Sequence, residues 1–321
     1  VRFGRALAAA VGLLVSAADA PPAGFDVVAL GVQGGGDGGD LSSYLIHPAD
    51  DPRGVTCDAG ALVTGLQRAR AAGAFGRPAP DVSDLLRTRV RGYLISHAHL
   101  DHLAGLLIAA PDDGAKPVYA LASVIEAVSR DYLNWRAWPN FADRGPRPLR
   151  QYALRDLTPG VAIPLAGTAM SVTAFPLAHD GVESTAFLLR AGEASLLCLG
   201  DTGPDAVEKT GRLAALWTVV AEEVRARRLR AIIIEASYPD GRADDRLFGH
   251  LTPQWLIRSL EDLERRAGAG SLGGLPVIVN HIKYPADRPD RLRALIAKQL
   301  AAGRRLGTRF ILPRQGNSWR F

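Results

Sequence analysis

The chain has 321 residues, 47% hydrophobic and 22% charged, enough apolar material to bury a large core as one sizeable domain or two small ones. Its formal net charge of +5 is mild for this length, and it comes from arginines scattered through helical stretches, with Lys116, Lys209, Lys283 and Lys298 the only lysines. Such a balance argues against a nucleic-acid polymer as partner and is compatible with a small phosphate-bearing substrate.

Arg2 and Arg5, the apolar run Ala6 to Val15, and Ala18-Asp19-Ala20 before Pro21-Pro22 read as a secretory signal cut after Ala20. That run is too short to span a bilayer, and no other segment is apolar enough to do so. The mature protein, residues 21–321, is therefore expected to be soluble and periplasmic or secreted. Strand patterns follow at Asp26–Gly31, Ser43–His47, Val55–Asp58, Gly92–Ser96, Ser171–Leu177, Thr185–Arg190, Ser195–Gly200, Ala231–Glu235, Val277–Asn280 and Arg309–Leu312. Helical periodicity marks Val124–Leu133, Arg212–Arg228, Pro253–Arg266 and Arg288–Ala302. Strands dominate early and alternate with helices later, which predicts sheets covered by outer helices. The Gly34–Gly39 run is read as a flexible turn, and Trp135 and Trp138, before a proline-bounded loop, as packing rather than a cover or subunit contact. Cys57 and Cys198 both lie in apolar strands and are expected to be unpaired, buried thiols.

One segment carries the chemistry. The strand Tyr93-Leu94-Ile95-Ser96 runs into His97-Ala98-His99-Leu100-Asp101-His102, four imidazole or carboxylate donors within six positions. His97 and His99, two apart at a strand end, project to the same side. Asp101 and His102 follow as the chain turns into an apolar helix, so one loop can hold parts of two metal sites. Three more strands end in a donor: His179 after Val172–Leu177, Asp201 after Leu196–Gly200, and His281 after Val277–Asn280. In layered α/β folds, sites gather at strand ends.

The order His-x-His-x-Asp-His, a later His, an Asp and a last His resembles the metallo-β-lactamase superfamily. A narrower resemblance, to the class II 3′,5′-cyclic-nucleotide phosphodiesterases, rests on Gly34-Gly35, Leu41-Ser42-Ser43-Tyr44-Leu45-Ile46 and Asp58-Ala59-Gly60. It continues through Tyr93 to Leu106, Trp138-Pro139-Asn140, Ser184-Thr185-Ala186-Phe187-Leu188 and Glu235-Ala236-Ser237-Tyr238, and closes with Phe248-Gly249-His250-Leu251-Thr252-Pro253 and Asn280-His281-Ile282-Lys283. Ala110 before Pro111 and Tyr284 after Lys283 depart from the pattern, away from the ligand positions.

The resemblance implies an α/β fold, a four-layer αββα sandwich of mixed sheets packed face to face, in a single catalytic domain over residues 21–321. It implies two divalent metal ions, with zinc the first expectation on a donor set that also suits manganese or iron. His97, His99 and His179 would hold one, Asp101, His102 and His281 the other, and Asp201 would bridge them. Asp58 is a candidate acceptor behind a ligand imidazole, or a turn former before Ala59-Gly60. Asp101 and His250 are the candidate catalytic groups, and His250 and Lys283 the candidate substrate contacts. The implied reaction is hydrolysis of cyclic AMP, with cyclic GMP beside it, to 5′-nucleotides by hydroxide shared between the metals. Alternatives are another superfamily hydrolase (an RNA-processing nuclease, a lactonase or a β-lactamase) or a metal-binding module without turnover. No basic arm for RNA is evident, and the donor set is complete. The expected partner is a small cyclic nucleotide, without nucleic-acid polymer or membrane, and the oligomeric state is left open, a homodimer included.

Overall fold

Runs such as Ile232-Ile233-Ile234 and Val277-Ile278-Val279 lack polar alternation and belong to strands covered on both faces. That requirement sets the layers. The computed structural model describes residues 24–285, 287 and 289–321, so the expected export signal and the helix start at Arg288 lie outside the described residues.

One sheet is laid down in chain order by β1 (Phe25–Gly31), β2 (Ser43–Pro48), β3 (Gly54–Cys57), β4 (Val90–Leu94), β5 (Lys116–Leu121) and β6 (Tyr152–Leu157). The other follows as β7 (Ala162–Pro164), β8 (Ser171–His179), β9 (Val182–Ala191), β10 (Ala194–Leu199), β11 (Leu229–Glu235), β12 (Pro276–Asn280) and β13 (Arg309–Ile311). The chain then returns to the first sheet to add β14 (Ser318–Arg320) beside β1. Pairing is antiparallel from β1 to β3 and parallel from β3 to β6. It is antiparallel from β7 to β10 and parallel from β10 to β13. As a result β8, β10, β11 and β12 all run in one sense, and β3 and β4 share theirs.

Period-two alternation assigns the faces. Phe187, Leu189, Leu196, Cys198, Ala231, Ile233 and Ile278 share a core with Tyr44, Ile46 and Tyr93 of the first sheet. Leu188, Leu197, Leu199, Ile232, Ile234, Val277 and Val279 turn the other way and pack with the helices. The α-helices of the described residues, in chain order, are α1 (Val63–Ala72), the single turn α2 (Val82–Asp84), α3 (Leu100–Ala109), α4 (Ala122–Ala127), the short α5 (Asp205–Glu208), α6 (Arg212–Arg225), α7 (Pro253–Ala267) and α8 (Pro289–Leu300). Leu216, Trp217 and Val220 of α6 and Leu256, Leu260 and Leu263 of α7 cover the second sheet. α1 and α4 lie against the first, giving the αββα sandwich. α7 begins where expected: Thr252 caps it, its hydroxyl accepting from the Trp255 amide, and Pro253 occupies the first turn. The predicted helix over Val124–Leu133 instead starts at Ala122 and widens after Ala127, so that the Leu133 amide bonds five residues back to Val128. Among the described residues no helix is long and apolar enough to cross a membrane.

The expectation of two free thiols is overturned. Cys57, ending β3, and Cys198, in β10, form a disulfide across the sandwich with their Cα atoms 6.7 Å apart. Each is buried strand interior, as expected, but that these two strands face each other is a property of the packed sheets and not of either strand. Denatured, unreduced protein should expose no titratable thiol to a chromogenic disulfide reagent. Replacing both cysteines by alanine should lower unfolding stability by about 2–5 kcal/mol in a denaturant titration; two thiols in the unreduced protein would rule the bond out.

Candidate active site

The strands that run in one sense bring their carboxyl ends to one edge of the sandwich, and polar residues are held there by the apolar runs behind them. His97 follows β4, His179 closes β8, Asp201 follows β10 and His281 follows β12. His99 precedes the first turn of α3, which carries Asp101 and His102. His97, His102, His179, Asp201 and His281 are buried, Asp101 is half-buried and His99 exposed. Asp58 and His281 sit at φ of +55° and +56°, a left-handed conformation that non-glycine residues keep only where the surroundings enforce it.

The seven donors converge. His97 Nε2 lies 3.0 Å from His99 Nδ1, which lies 3.3 Å from His179 Nε2. On the other side, His102 Nε2 is 3.1 Å and Asp101 Oδ2 3.2 Å from His281 Nε2. Between the two sets, Asp201 Oδ2 is 3.2 Å from His281, 3.3 Å from His102, 3.7 Å from His179 and 3.9 Å from His97. Donors held at 2.0–2.1 Å by a tetrahedral cation are about 3.3 Å apart. The donor set therefore fits divalent metal binding, in several overlapping groups of three donors.

Four imidazoles are oriented the same way. Each turns Nε2 to the common centre and engages Nδ1 behind it: His97 with Ser96 Oγ (3.0 Å), His102 with Asp58 Oδ2 (2.7 Å), His179 with the Gly249 carbonyl (2.8 Å) and His281 with Ser237 Oγ (3.0 Å). His99 is reversed and offers Nδ1. Asp58 is itself fixed, accepting from the amide and hydroxyl of Ser96. Gly34 explains its residue type: a Cβ there would lie 2.5 Å from the His281 ring. Within the Gly34–Gly39 run, Gly34 is the position that the site itself constrains.

Burial, with the neighbouring imidazole charges, holds His97, His99 and His281 below the ordinary imidazole pKa. Burial acts on His102 too, but the Asp201 and Asp58 carboxylates outweigh it and hold this group well above that value. Burial would raise Asp101 and Asp201; the surrounding His281 and His102 hold both below the usual carboxylate range. Neutral imidazoles and ionised carboxylates are the forms in which such side chains ligate cations, so His97, His99, His281, Asp101 and Asp201 are shifted toward ligation, whereas His102 would have to release a proton to a cation.

The cluster floors a cavity of about 330 Å³ lined by His99, Asp101, His179, Asp201 and His250, with Val182, Tyr238, Phe248 and Lys283 around them. Residues 79–316 match the family of class-II cAMP phosphodiesterases. The chain belongs to that family. Over 306 residues it is 44% identical to a 3′,5′-cyclic-nucleotide phosphodiesterase of Aliivibrio fischeri, across 92% of this chain and 93% of the relative. It is 41% identical to a probable 3′,5′-cyclic-nucleotide phosphodiesterase of Yersinia pestis, across 93% and 90%. The crystal structure of unliganded yeast PDE1 superposes with a TM-score of 0.79 at 23% identity, covering 92% of this chain and 99% of that one. The metallo-β-lactamase fold protein YhfI of Bacillus subtilis follows at 0.62 and 15%, covering 93% and 99%. At those identities the two structures share the fold.

Within this class-II chain, all seven expected metal donors meet in one cluster, and Asp58 stands behind His102. His250 joins them, with Nδ1 3.7 Å from Asp201 Oδ2. Lys283 lines the cavity, its Nζ donating to the Gly34 carbonyl at 3.0 Å. The sequence reading gave no role to Ser96, Ser237 or Glu235. Glu235 ends the Ile-Ile-Ile strand just as Asp201 and His281 end theirs, a signal that was available. It is buried and accepts from the Thr202 amide (2.9 Å), the Leu251 amide (3.2 Å), Ser237 Oγ (2.5 Å) and His250 Nδ1 (3.0 Å). Burial would raise its pKa, but His250 holds it below the usual carboxylate range. Burial lowers His250, and Glu235 more than reverses that. Glu235→Gln would turn an N–H₂ group toward donors. It should lower turnover about 10–100-fold with the far-ultraviolet circular dichroism spectrum retained; unchanged kinetics would show that Glu235 orients nothing that matters.

Proposed function

We propose that this protein hydrolyses 3′,5′-cyclic nucleotides, cyclic AMP and with it cyclic GMP, to 5′-nucleotides at two divalent cations, zinc being the first choice. The observation that carries the reading is the convergence of His97, His99, His179, Asp201, Asp101, His102 and His281 in one cluster, of which His99, Asp101, His179 and Asp201 line the cavity, in a chain of the class-II family. His97, His99 and His179 would hold one cation, Asp101, His102 and His281 the second, and Asp201 would touch both. Bound there, the cations supply a nucleophilic oxygen from water at neutral pH and offset charge on the phosphoryl oxygens.

The chain's own residues do the rest. Ser96, Asp58, Ser237 and the Gly249 carbonyl keep the imidazoles aimed, so no reorganisation accompanies the reaction. In-line displacement forms a bond from water oxygen to phosphorus and breaks the bond from phosphorus to the ribose 3′-oxygen. The departing oxygen needs a proton, and His250, whose protonated form the Glu235 carboxylate favours, is the donor in this reading. Lys283 adds a positive charge at the cavity wall. An oxidising compartment, periplasmic or extracellular, belongs to the same proposal, since the Cys57–Cys198 bond persists there; recovery of the native protein only in cytosolic fractions would contradict it.

Cyclic AMP, cyclic GMP, bis(p-nitrophenyl) phosphate, a lactone and a cephalosporin, each with and without chelator, separate this activity from others of the fold. Cyclic nucleotide cleavage lost on chelation and restored by zinc is expected, and cleavage of the lactone or cephalosporin alone would reject the proposal. In the same assay His97→Ala and Asp201→Ala should abolish turnover with the fold kept. His250→Ala should lower kcat about 100-fold or more with metal content unchanged, whereas loss of metal would make it a ligand.

A further inference from the structure

We propose that Phe248 is the platform on which the nucleobase of the substrate stacks, a proposal that rests on the cyclic-nucleotide reading above. The cavity floor is made of imidazoles and carboxylates, the groups for a phosphodiester and its cations; the aromatic and apolar side chains lining it are Tyr238, Phe248 and Val182. Phe248 is 52% exposed, although Leu247 before it and His250 after it are buried. Its backbone is left-handed, φ +51°, and so is that of Gly249, φ +73°. A bulky aromatic gains nothing from such a turn, which asparagine or glycine would occupy more easily, and an exposed ring gains nothing from burial either. The turn is pinned from below: the Gly249 carbonyl accepts from His179 Nδ1 at 2.8 Å, and a Cβ at Gly249 would lie 2.5 Å from the same nitrogen. The segment that orients a floor imidazole therefore also holds the Phe248 ring at the cavity mouth.

Tyr238 is less suited to the role. The Arg242 guanidinium already lies 3.9 Å from its ring centre, and its ring meets His250 edge-on at 5.7 Å. Phe248, 5.5 Å from the same guanidinium, keeps half its surface open. An aromatic face beside a phosphate-binding floor recognises the π-surface of a base and tolerates adenine and guanine alike.

The test uses the metal-loaded protein and compares two product-like ligands by calorimetry, 5′-AMP and ribose 5-phosphate, which differ by the base. Phe248→Ala should weaken 5′-AMP binding about 10-fold and leave ribose 5-phosphate binding as it was. The KM for cyclic AMP should rise in step, with the effect on KM rather than kcat, and Phe248→Trp, which keeps an aromatic face, should restore both. Unchanged 5′-AMP binding in Phe248→Ala overturns the proposal, as does equal weakening of the two ligands, which marks a distorted floor. Failure of the underlying reading looks different: wild-type protein that does not cleave cyclic AMP removes the substrate itself.

Discussion

Asp201 is the constraint on which the site depends. Its carboxylate is buried, and one oxygen faces His97, His102, His179, His250 and His281 within 3.9 Å. Removing a carboxylate from water is expensive unless positive charge shares the space. Among the described residues no lysine or arginine pairs with Asp201, Asp101, Asp58 or Glu235; every ion-pair partner of these four is an imidazole. A neutral imidazole compensates poorly, so a cluster of this composition is balanced by protons or by cations. Its geometry, with Nε2 atoms turned inward and Nδ1 atoms occupied, favours cations.

Strand direction explains how residues so far apart in sequence reach that centre. Because β8, β10, β11 and β12 run in one sense, His179, Asp201, Glu235 and His281 emerge at one edge of the second sheet. β3 and β4, parallel to each other, deliver Asp58 and the His97 loop from the first. The Cys57–Cys198 bond ties β3 to β10 one residue before Asp58 and three before Asp201. It therefore fixes the separation of the two sheets next to the residues that must span it.

Much of this was legible in the sequence, for local reasons. Strands of the second sheet are continuous apolar runs ending in a polar residue, and both signals survive without a partner strand. The His97–His102 cluster is dense enough to stand alone. What escaped depends on packing. β5, which begins with Lys116 and Pro117, was not among the expected strands; in the structure Lys116 is buried because its Nζ pairs with Asp113 at 2.6 Å and donates hydrogen bonds to the Leu86 and Val90 carbonyls. β6 alternates poorly, with Arg155 and Asp156 both exposed. α1 carries Gly65, which weakens its helical signal, yet a Cβ there would lie 2.2 Å from the Leu30 carbonyl, so the glycine is what lets the helix lie on β1. Glu235 was quoted within a motif and left without a role, although it ends its strand as Asp201 does; its four donors come from separate segments and are seen only in the fold.

The site divides its labour between rigid and adaptable parts. Floor residues grow from strand ends with apolar cores on both sides, and their second nitrogens are held by Ser96, Asp58, Ser237 and Gly249. Small displacements there would spoil donor geometry, and the packed sheets oppose them. The wall at Tyr238 and Phe248 comes instead from the loop between β11 and α7, whose Phe248 ring is half exposed. The same loop supplies Ser237 and the Gly249 carbonyl to the imidazoles of His281 and His179, so one segment serves both wall and floor. Glu235 joins the two: it ends a strand, and it holds His250, which stands between the floor and the loop. A change in the loop that shifted His250 would reach Asp201 directly, since His250 Nδ1 lies 3.7 Å from Asp201 Oδ2, so the loop and the floor are coupled by geometry.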